Sequence, residues 1–244
     1  MIGVSMRHRA CAMLQAVPAF RIYRGGITMR EHSRSPSSVI EEVRIPPLGL
    51  PGLLRVPANA SCMVAFAHGS DSSRLSPRNN YVADALGEAG IATLLLDLLT
   101  KGEATNRRNV FDIALLAGRM GLAIDWLLER GETGQLPLGL FGASTGAAAA
   151  LVAAAASSQV AAVVSRGGRP DLAGEALVQV RAPTLLIVGG LDLEVIALNR
   201  QAQARMHCET ELSIVPGATH LFEEPGTLET VVDLSRDWFR RHLG

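Results

Sequence analysis

The sequence predicts an α/β fold with a mostly parallel sheet of about eight strands and helices on both faces. From residue 62 onward, short and continuously apolar runs alternate with longer amphipathic segments, which is typical of a parallel sheet buried on both sides. Before them, two short strand candidates flank a turn sequence and indicate an N-terminal antiparallel hairpin. No segment between strands is long enough for a separate cap domain.

The hairpin is predicted at residues 39–44 and 50–56. Between these runs lies Pro46-Pro47-Leu48-Gly49, and both proline and glycine favour tight turns. A short connection of this kind joins antiparallel neighbours.

Strands and helices then alternate to the end of the chain. Gly90 is expected to end the first helix and Gly131 to stop a long amphipathic one. The predicted strands are 62–67, 91–96, 138–141, 160–165, 183–188 and 211–215, and the predicted helices are 78–89, 110–130, the segment after Ser144, 170–179, 195–207 and 228–243.

Composition excludes several classes of function. The 244 residues include 23 basic and 23 acidic side chains, so there is no basic field to attract nucleic acid. Cys11, Cys62 and Cys208 are far apart, which predicts neither a disulfide framework nor a zinc site. The apolar runs are shorter than the ~18 residues that a membrane span needs. We therefore expect no cofactor, no metal, no nucleic acid and no membrane partner.

The amino-terminal residues differ from the rest. Arginines precede the first acid, Glu31, around a short apolar stretch, which resembles a weak signal or transit peptide. The alternative is a disordered or loosely attached extension, or a chain that starts at Met29. We favour the extension, with residues 1–36 outside the fold, residues 37–244 as the catalytic domain and a cytoplasmic location.

Gly142-Ala143-Ser144-Thr145-Gly146 is the strongest motif. An apolar strand precedes it and an alanine-rich helix follows. A serine on such a strand–turn–helix element stands exposed at the top of the sheet, and the glycines allow the close approach of the two backbones. Ser144 is therefore the candidate nucleophile; the alternative is a simple turn residue.

Asp192 and His220 follow later strands, in the same way that Ser144 follows its own. A serine needs a histidine to accept its proton, and that histidine needs a carboxylate to orient it. The order Ser, Asp, His along the chain fits this arrangement. Asp192 has an alternative role as the cap of the helix that follows, and Asp171 is the rival acid.

A second loop is a candidate oxyanion hole. His68-Gly69-Ser70 follows the first parallel strand. The N–H of Ser70, or of Gly69, is expected to meet the N–H of Thr145 at the oxyanion. The alternative is an ordinary turn at the end of a strand.

Some arginines fall on loops near the predicted site, and arginine suits carboxylate binding. We take Arg166, with His68 and Gly69, as candidate substrate-binding residues. The alternative for each arginine is a structural ion pair with a nearby acid. The arginines are Arg74, Arg78, Arg166 and Arg169, and the acids are Asp71, Asp97 and Asp171.

Together these motifs resemble the dienelactone hydrolase-like branch of the α/β-hydrolases. The segments Ser-Arg-Gly-Gly-Arg-Pro-Asp-Leu (165–172) and Pro-Gly-Ala-Thr-His-Leu-Phe-Glu-Glu-Pro-Gly (216–226) are similar to those of small bacterial members. The resemblance covers residues 39–243 and implies the α/β-hydrolase fold. Two residues depart from it: Ser144 stands where dienelactone hydrolases proper carry cysteine, and Asp71 stands where relatives tend to carry glycine.

The resemblance implies a serine hydrolase that cleaves small carboxylic esters, of carboxylesterase or lactone hydrolase type, through an acyl-enzyme on Ser144. The expected partner is a small-molecule ester, and the chain is expected to be a monomer or a homodimer. Two alternatives stay open. One is acyl transfer or thioester cleavage by the same residues, and the other is a non-catalytic ligand-binding fold.

Overall fold

The computed structural model describes residues 40–70 and 72–244. The predictions made for residues 1–36, for Val39, for Cys11 and for Asp71 lie outside these described residues. In the described part, Cys62 is buried and Cys208 is half-buried, and both are free. No helix there is long and apolar enough to cross a membrane.

One eight-stranded sheet organises the fold, in the order β1-β2-β4-β3-β5-β6-β7-β8. The first two strands are antiparallel, β2 is also antiparallel to β4, and the other neighbours are parallel. The predicted fold class is confirmed. The strands are β1 Ile40–Ile45, β2 Leu50–Arg55, β3 Cys62–Ala67, β4 Ile91–Leu96, β5 Leu138–Ala143, β6 Val160–Arg166, β7 Thr184–Gly189 and β8 Thr210–Val215.

The hairpin forms as the turn sequence predicts. Ile45 pairs with Leu50 across the turn, and Gly49 takes a positive φ of 66° that side chains disfavour. Leu50 and Leu54 are fully buried. The hairpin therefore covers the edge of the sheet and brings its turn toward the carboxyl end of β4.

Seven α-helices and one 3₁₀ helix cover the sheet in the described residues. The α-helices are α1 Pro77–Glu88, α2 Lys101–Ala104, α3 Arg107–Val110, α4 Ile113–Glu129, α5 Thr145–Ala156, α6 Leu193–Gln203 and α7 Thr227–Leu243, and the 3₁₀ helix is Pro170–Gln179.

Two apolar layers lie on opposite faces of the sheet, because successive side chains of a strand point to opposite sides. Met63 and Ala65 of β3 pack with α4 and α5 on one face. Phe66 and its stacked partner Phe141 pack on the other, where α1 and α7 lie. The buried central strands thus hold their carboxyl ends rigidly at one edge, where the functional loops begin.

Two helix boundaries differ from the prediction by three residues or more. The predicted helix 110–130 begins only at Ile113, because the Asp112 side chain accepts a hydrogen bond from Leu115 N–H (3.0 Å) and caps α4. The short helices α2 and α3 precede it. The predicted helix 195–207 ends at Gln203, beyond which the chain tightens into i→i+3 hydrogen bonds as far as Met206.

Candidate active site

Ser144 occupies a sharp turn between β5 and α5. Its φ of 51° and ψ of −124° are unusual for a residue with a side chain. A Cβ on Gly142 would lie only 2.4 Å from Cα of Ala147, and one on Gly146 would lie 2.3 Å from the carbonyl oxygen of Ala67. Both glycines are therefore required by the close approach of strand and helix, as the motif predicts.

The backbone of this turn is held by hydrogen bonds to the neighbouring strand end. Ser144 N–H donates to the carbonyl of Arg166 (3.2 Å), and the Ser144 carbonyl accepts from Arg169 N–H (3.0 Å). The turn is thus tied to the segment after β6. This is the kind of surrounding structure that keeps a strained residue in place.

The structure brings Ser144, His220 and Asp192 together from three different strand ends. Ser144 Oγ lies 3.4 Å from His220 Nε2, and His220 Nδ1 lies 2.6 Å from Asp192 Oδ2. The His220 side chain is 38% exposed and the Asp192 side chain 16%. Asp192 immediately precedes α6, but its side chain makes no capping hydrogen bond, so its carboxylate is available to the imidazole.

Asp171, the rival acid, is engaged elsewhere. Both of its carboxylate oxygens accept from the Arg169 guanidinium, at 2.9 Å from Nε and 2.8 Å from Nη2. This bidentate contact raises the pKa of Arg169. Of the two acids, only Asp192 therefore contacts His220.

The loop that carries His220 is fixed by Glu224. The Glu224 carboxylate accepts from the hydroxyl of Thr219 (2.6 Å) and from its backbone N–H (3.0 Å). These bonds hold the pKa of Glu224 below its ordinary value. Phe222, with a φ of 55°, is 1% exposed and anchors the same loop in the core. From the sequence, Glu223 and Glu224 are interpreted as a charge pair at the start of a helix, and the bonds of Glu224 to Thr219 were not predicted.

The predicted oxyanion loop lies against Ser144. A Cβ on Gly69 would lie 2.9 Å from Cβ of Ser144 and 3.6 Å from its Oγ. The Ser70 N–H, however, donates to the side chain of Thr145 (Oγ1, 2.9 Å). The loop is where the sequence predicted, but this N–H has an acceptor within the protein that the sequence did not indicate.

His68 supports this loop. Its Nε2 accepts from Leu98 N–H (3.3 Å), so Nδ1 carries the proton and donates to the Gly69 carbonyl (2.8 Å). Burial lowers the pKa of His68, which favours the neutral ring. Because both ring nitrogens are engaged, His68 holds the loop in place rather than offering a free group to a substrate.

The candidate arginines are mostly paired with acids. Arg74 contacts Asp97 at 2.6 Å and Arg78 contacts Glu223 at 2.8 Å. Together with the Arg169–Asp171 pair, these contacts are structural ion pairs, which was the stated alternative to substrate binding. The sequence could not indicate Glu223 as the partner of Arg78, because the two residues are 145 positions apart.

Arg166 has no acidic partner in the part of the chain that the structure describes. It is 7% exposed, donates to Asn79 Oδ1 (3.1 Å) and lies 6.0 Å from the ring centre of Phe222. Burial, and then the nearby charge of Arg78, lower its pKa to about 10. Its guanidinium is thus enclosed beneath the loop that carries His220.

A cavity of about 570 Å³ opens beside Gly69. It lies between the hairpin turn, the oxyanion loop and the segment after β4. Sequence reasoning missed most of its walls because they come from distant parts of the chain. Among the residues that line it are Arg44, Leu48, Leu99, Lys101, Val110 and Leu116.

No group of three His, Cys, Asp or Glu side chains that could hold a metal ion occurs in residues 40–70 and 72–244.

A family model described as "Dienelactone hydrolase family" matches residues 78–236. The match spans Ser144, Asp192 and His220. The chain belongs to the dienelactone hydrolase family. This membership confirms the predicted resemblance and supports a hydrolase.

Two solved structures are similar to this chain, one at high sequence identity and one in its fold alone. A dienelactone hydrolase from Anabaena variabilis is 52% identical, with a TM-score of 0.82, over 86% of this chain and 100% of that one. Est1E from Butyrivibrio proteoclasticus is 15% identical, with a TM-score of 0.70, over 84% and 98% of the two chains. At that identity the second likeness concerns the fold alone.

Two Mycobacterium tuberculosis proteins, from different strains and each named as a proposed phosphoribosyl transferase, are 59% identical over 206 residues. The alignment covers 83% of this chain and 46% of each relative. The chain thus spans about half the length of the curated relatives that it matches.

Proposed function

We propose that this chain is a serine hydrolase that cleaves small carboxylic esters through an acyl-enzyme on Ser144. The observation that carries the proposal is the contact of His220 with Ser144 Oγ (3.4 Å) on one side and with Asp192 (2.6 Å) on the other. A serine hydroxyl is a weak nucleophile at neutral pH, and a base oriented by a carboxylate activates it. Apo distances of this kind tighten when substrate binds.

In the first step, Ser144 Oγ attacks the ester carbonyl carbon while its proton passes to His220 Nε2. Asp192 accepts the Nδ1–H of His220 and stabilises the imidazolium that forms. His220 then gives the proton to the departing alcohol, which leaves an acyl-Ser144 ester. Water, deprotonated by the same imidazole, attacks this ester. His220 then returns the proton to Ser144 Oγ as the acyl–oxygen bond breaks, which releases the carboxylic acid and restores the enzyme.

The N-terminus of α5 favours negative charge on the carbonyl oxygen. Thr145 is the first residue of this helix, so its N–H has no acceptor within the helix. The partial positive charge at the helix start acts in the same direction. The Ser70 N–H lies 2.9 Å from the side-chain oxygen of Thr145, and its segment is the second part of the proposed oxyanion site.

The cavity beside Gly69 supports a small substrate. Its volume of about 570 Å³ is in the ordinary range for small-molecule sites. Leu48, Leu99, Val110 and Leu116 give it an apolar wall. It can receive one of the two ester substituents while the reacting carbonyl lies at Ser144.

Two further activities are weighed against ester hydrolysis. The name phosphoribosyl transferase belongs to relatives about twice as long as this chain. Ser144, His220 and Asp192 are the groups that acyl transfer needs. We therefore assign no phosphoribosyl transfer to this chain. Thioester cleavage or acyl transfer to another acceptor would use the same acyl-Ser144. Turnover of the acyl-enzyme with water, compared with added alcohols or thiols, distinguishes these outcomes.

Labelling by a fluorophosphonate probe tests the proposal. The folded wild-type chain should be labelled and should hydrolyse p-nitrophenyl acetate and butyrate. Ser144→Ala should abolish both, whereas Ser158→Ala, at an exposed serine beyond the other end of α5, should abolish neither. A well-folded wild-type protein that is neither labelled nor active on any ester would show the proposal to be wrong.

A further inference from the structure

The peptide unit between Gly69 and Ser70 is held at both ends. On one side, the Gly69 carbonyl accepts from His68 Nδ1 (2.8 Å), and His68 is itself fixed by Leu98 N–H (3.3 Å). On the other side, the Ser70 N–H donates to Thr145 Oγ1 (2.9 Å). The direction of this N–H is therefore set, and the hydroxyl oxygen of Thr145 lies in front of it.

The Thr145 hydroxyl accepts one hydrogen bond and still has a proton to donate. Thr145 follows the nucleophile directly and is 6% exposed. Its oxygen accepts the Ser70 N–H, but its own hydroxyl proton meets no acceptor among residues 40–70 and 72–244. A hydroxyl is both donor and acceptor, and its hydrogen takes the direction that suits its partners. That proton is therefore available to an acceptor that binds beside Thr145.

The position of Thr145 suits the oxyanion. Its backbone N–H is free at the helix start. The loop that holds the Ser70 N–H also packs on Ser144, since a Cβ on Gly69 would lie 2.9 Å from the Ser144 Cβ. The Ser70 N–H already has an acceptor at 2.9 Å. A direct bond from it to substrate would have to displace or share the Thr145 hydroxyl.

We propose that the Thr145 side-chain hydroxyl is itself an oxyanion donor, with the Ser70 N–H behind it as a positioning group. This inference rests on the proposed ester hydrolysis at Ser144. When Ser144 Oγ bonds to the carbonyl carbon and its proton moves to His220, the carbonyl π electrons become a lone pair on oxygen. That oxygen accepts from the N–H and from the Oγ1–H of Thr145. The Ser70 N–H bond strengthens the hydroxyl as a donor, because hydrogen bonds in a chain polarise one another.

Thr145→Val and Thr145→Ser test this role. Valine keeps the shape and removes the hydroxyl, so kcat on p-nitrophenyl butyrate should fall about a hundredfold, as when one oxyanion donor is lost, with KM changed by less than about twofold. Serine restores the donor, so kcat should return to within about fivefold of wild type. Thermal unfolding and circular dichroism establish that each variant is folded.

The ratio of the hydrolysis rates on an ester and on its thionoester is a second measurement. A purely structural role of Thr145 would leave this ratio unchanged. A sulfur anion is a poorer hydrogen-bond acceptor than an oxyanion, so an enzyme with an intact donor set prefers the oxygen ester. Thr145→Val should lower this preference, and Thr145→Ser should retain it. If the valine variant is unstable, Thr145→Ala, which adds no volume, is judged by the same ratio.

An unchanged or higher kcat in Thr145→Val would overturn the proposal, because it would mean that the hydroxyl only blocks the Ser70 N–H. An unchanged oxygen-to-sulfur ratio in folded variants would also overturn it. Failure of the proposed function is a different result: there the wild-type chain itself shows no labelling and no turnover.

Discussion

The Asp192 carboxylate lies 2.6 Å from Nδ1 of His220, across 28 positions of sequence. The contact exists because β7 and β8 are parallel neighbours, with Gly189 opposite Val215, so the loops after both strands leave the same edge of the sheet. A Cβ on Gly189 would lie 2.5 Å from the carbonyl oxygens of Ala218 and Thr219. The absence of a side chain at Gly189 therefore allows the two loops to approach.

Asp192→Asn should lower kcat on p-nitrophenyl esters by about 10³- to 10⁴-fold. An amide in place of the carboxylate favours the wrong imidazole tautomer and no longer stabilises the imidazolium. Steady-state kinetics at pH 7 measure the effect. Asp171→Asn, which alters an acid bound to Arg169, should stay within about threefold of wild type. The reverse order of the two effects would show that the acid is misassigned.

Gly69→Ala should reduce kcat at least about tenfold. The added methyl would lie 2.9 Å from Ser144 Cβ and 3.1 Å from the Ala143 carbonyl, so the oxyanion loop must shift away from the nucleophile, and small misplacements at a reacting centre are costly. The matched control is Gly102→Ala in α2, where nothing lies within 4 Å of the new methyl. Equal activity of the two variants would contradict the described packing of the loop.

Much of the fold follows from local sequence. Continuous apolar runs mark the central strands, and the bounds of β3 and β4 match the prediction to the residue. The misplaced start of α4 has a local cause that a periodicity argument overlooks. Val110 and Phe111 continue the apolar pattern, but Asp112 caps α4 with its side chain, and capping overrides periodicity at a helix end.

In the candidate site too, some features follow from local sequence and others depend on packing between distant segments. Ser144, Asp192 and His220 could be placed at one edge of the sheet because each follows a parallel strand, and strand ends are ordered by topology. The acceptor of the Ser70 N–H could not be predicted, because Thr145 is 75 positions away and the contact depends on a side-chain rotamer. The ion pair of Arg78 with Glu223 likewise depends on packing between α1 and the loop before α7.

His68 should make stability depend on pH below about 6.5. Burial lowers the folded-state pKa of His68, against the opposing effects of the Gly69 carbonyl and Asp97, whereas in the unfolded chain it titrates near 6.5. The unfolded state therefore binds more protons just below that pH. The stabilisation is complete above about pH 6.5 and is lost as pH falls, by up to about 1.4 kcal/mol per pH unit.

Urea unfolding between pH 5 and 8 measures this slope. His68→Gln removes the titrating group and should flatten the curve below pH 6.5. His207→Gln, at an exposed histidine, should retain the wild-type slope. A His68→Gln variant with the full wild-type slope would show that another group is responsible.

Glu224→Gln should lower kcat by about three- to thirtyfold with little change in KM. The Glu224 carboxylate accepts two hydrogen bonds from Thr219, the residue before His220, and a glutamine has only one oxygen to offer. His220 would then be less well placed against Ser144, which affects the chemical step more than binding.

The depressed pKa of Glu224 gives the sign of the pH effect on the same loop. At a pH above the ordinary carboxyl pKa of ~4.3, the ionised Glu224 holds the wild-type loop, and the loop loosens as the pH falls below that value. The Glu224→Gln variant should show no such pH dependence. Glu223→Gln changes the neighbouring charge, which pairs with Arg78 in the described part of the chain, and should leave kcat near wild type. Equal losses in both variants would point to a general effect of charge rather than to the position of the His220 loop.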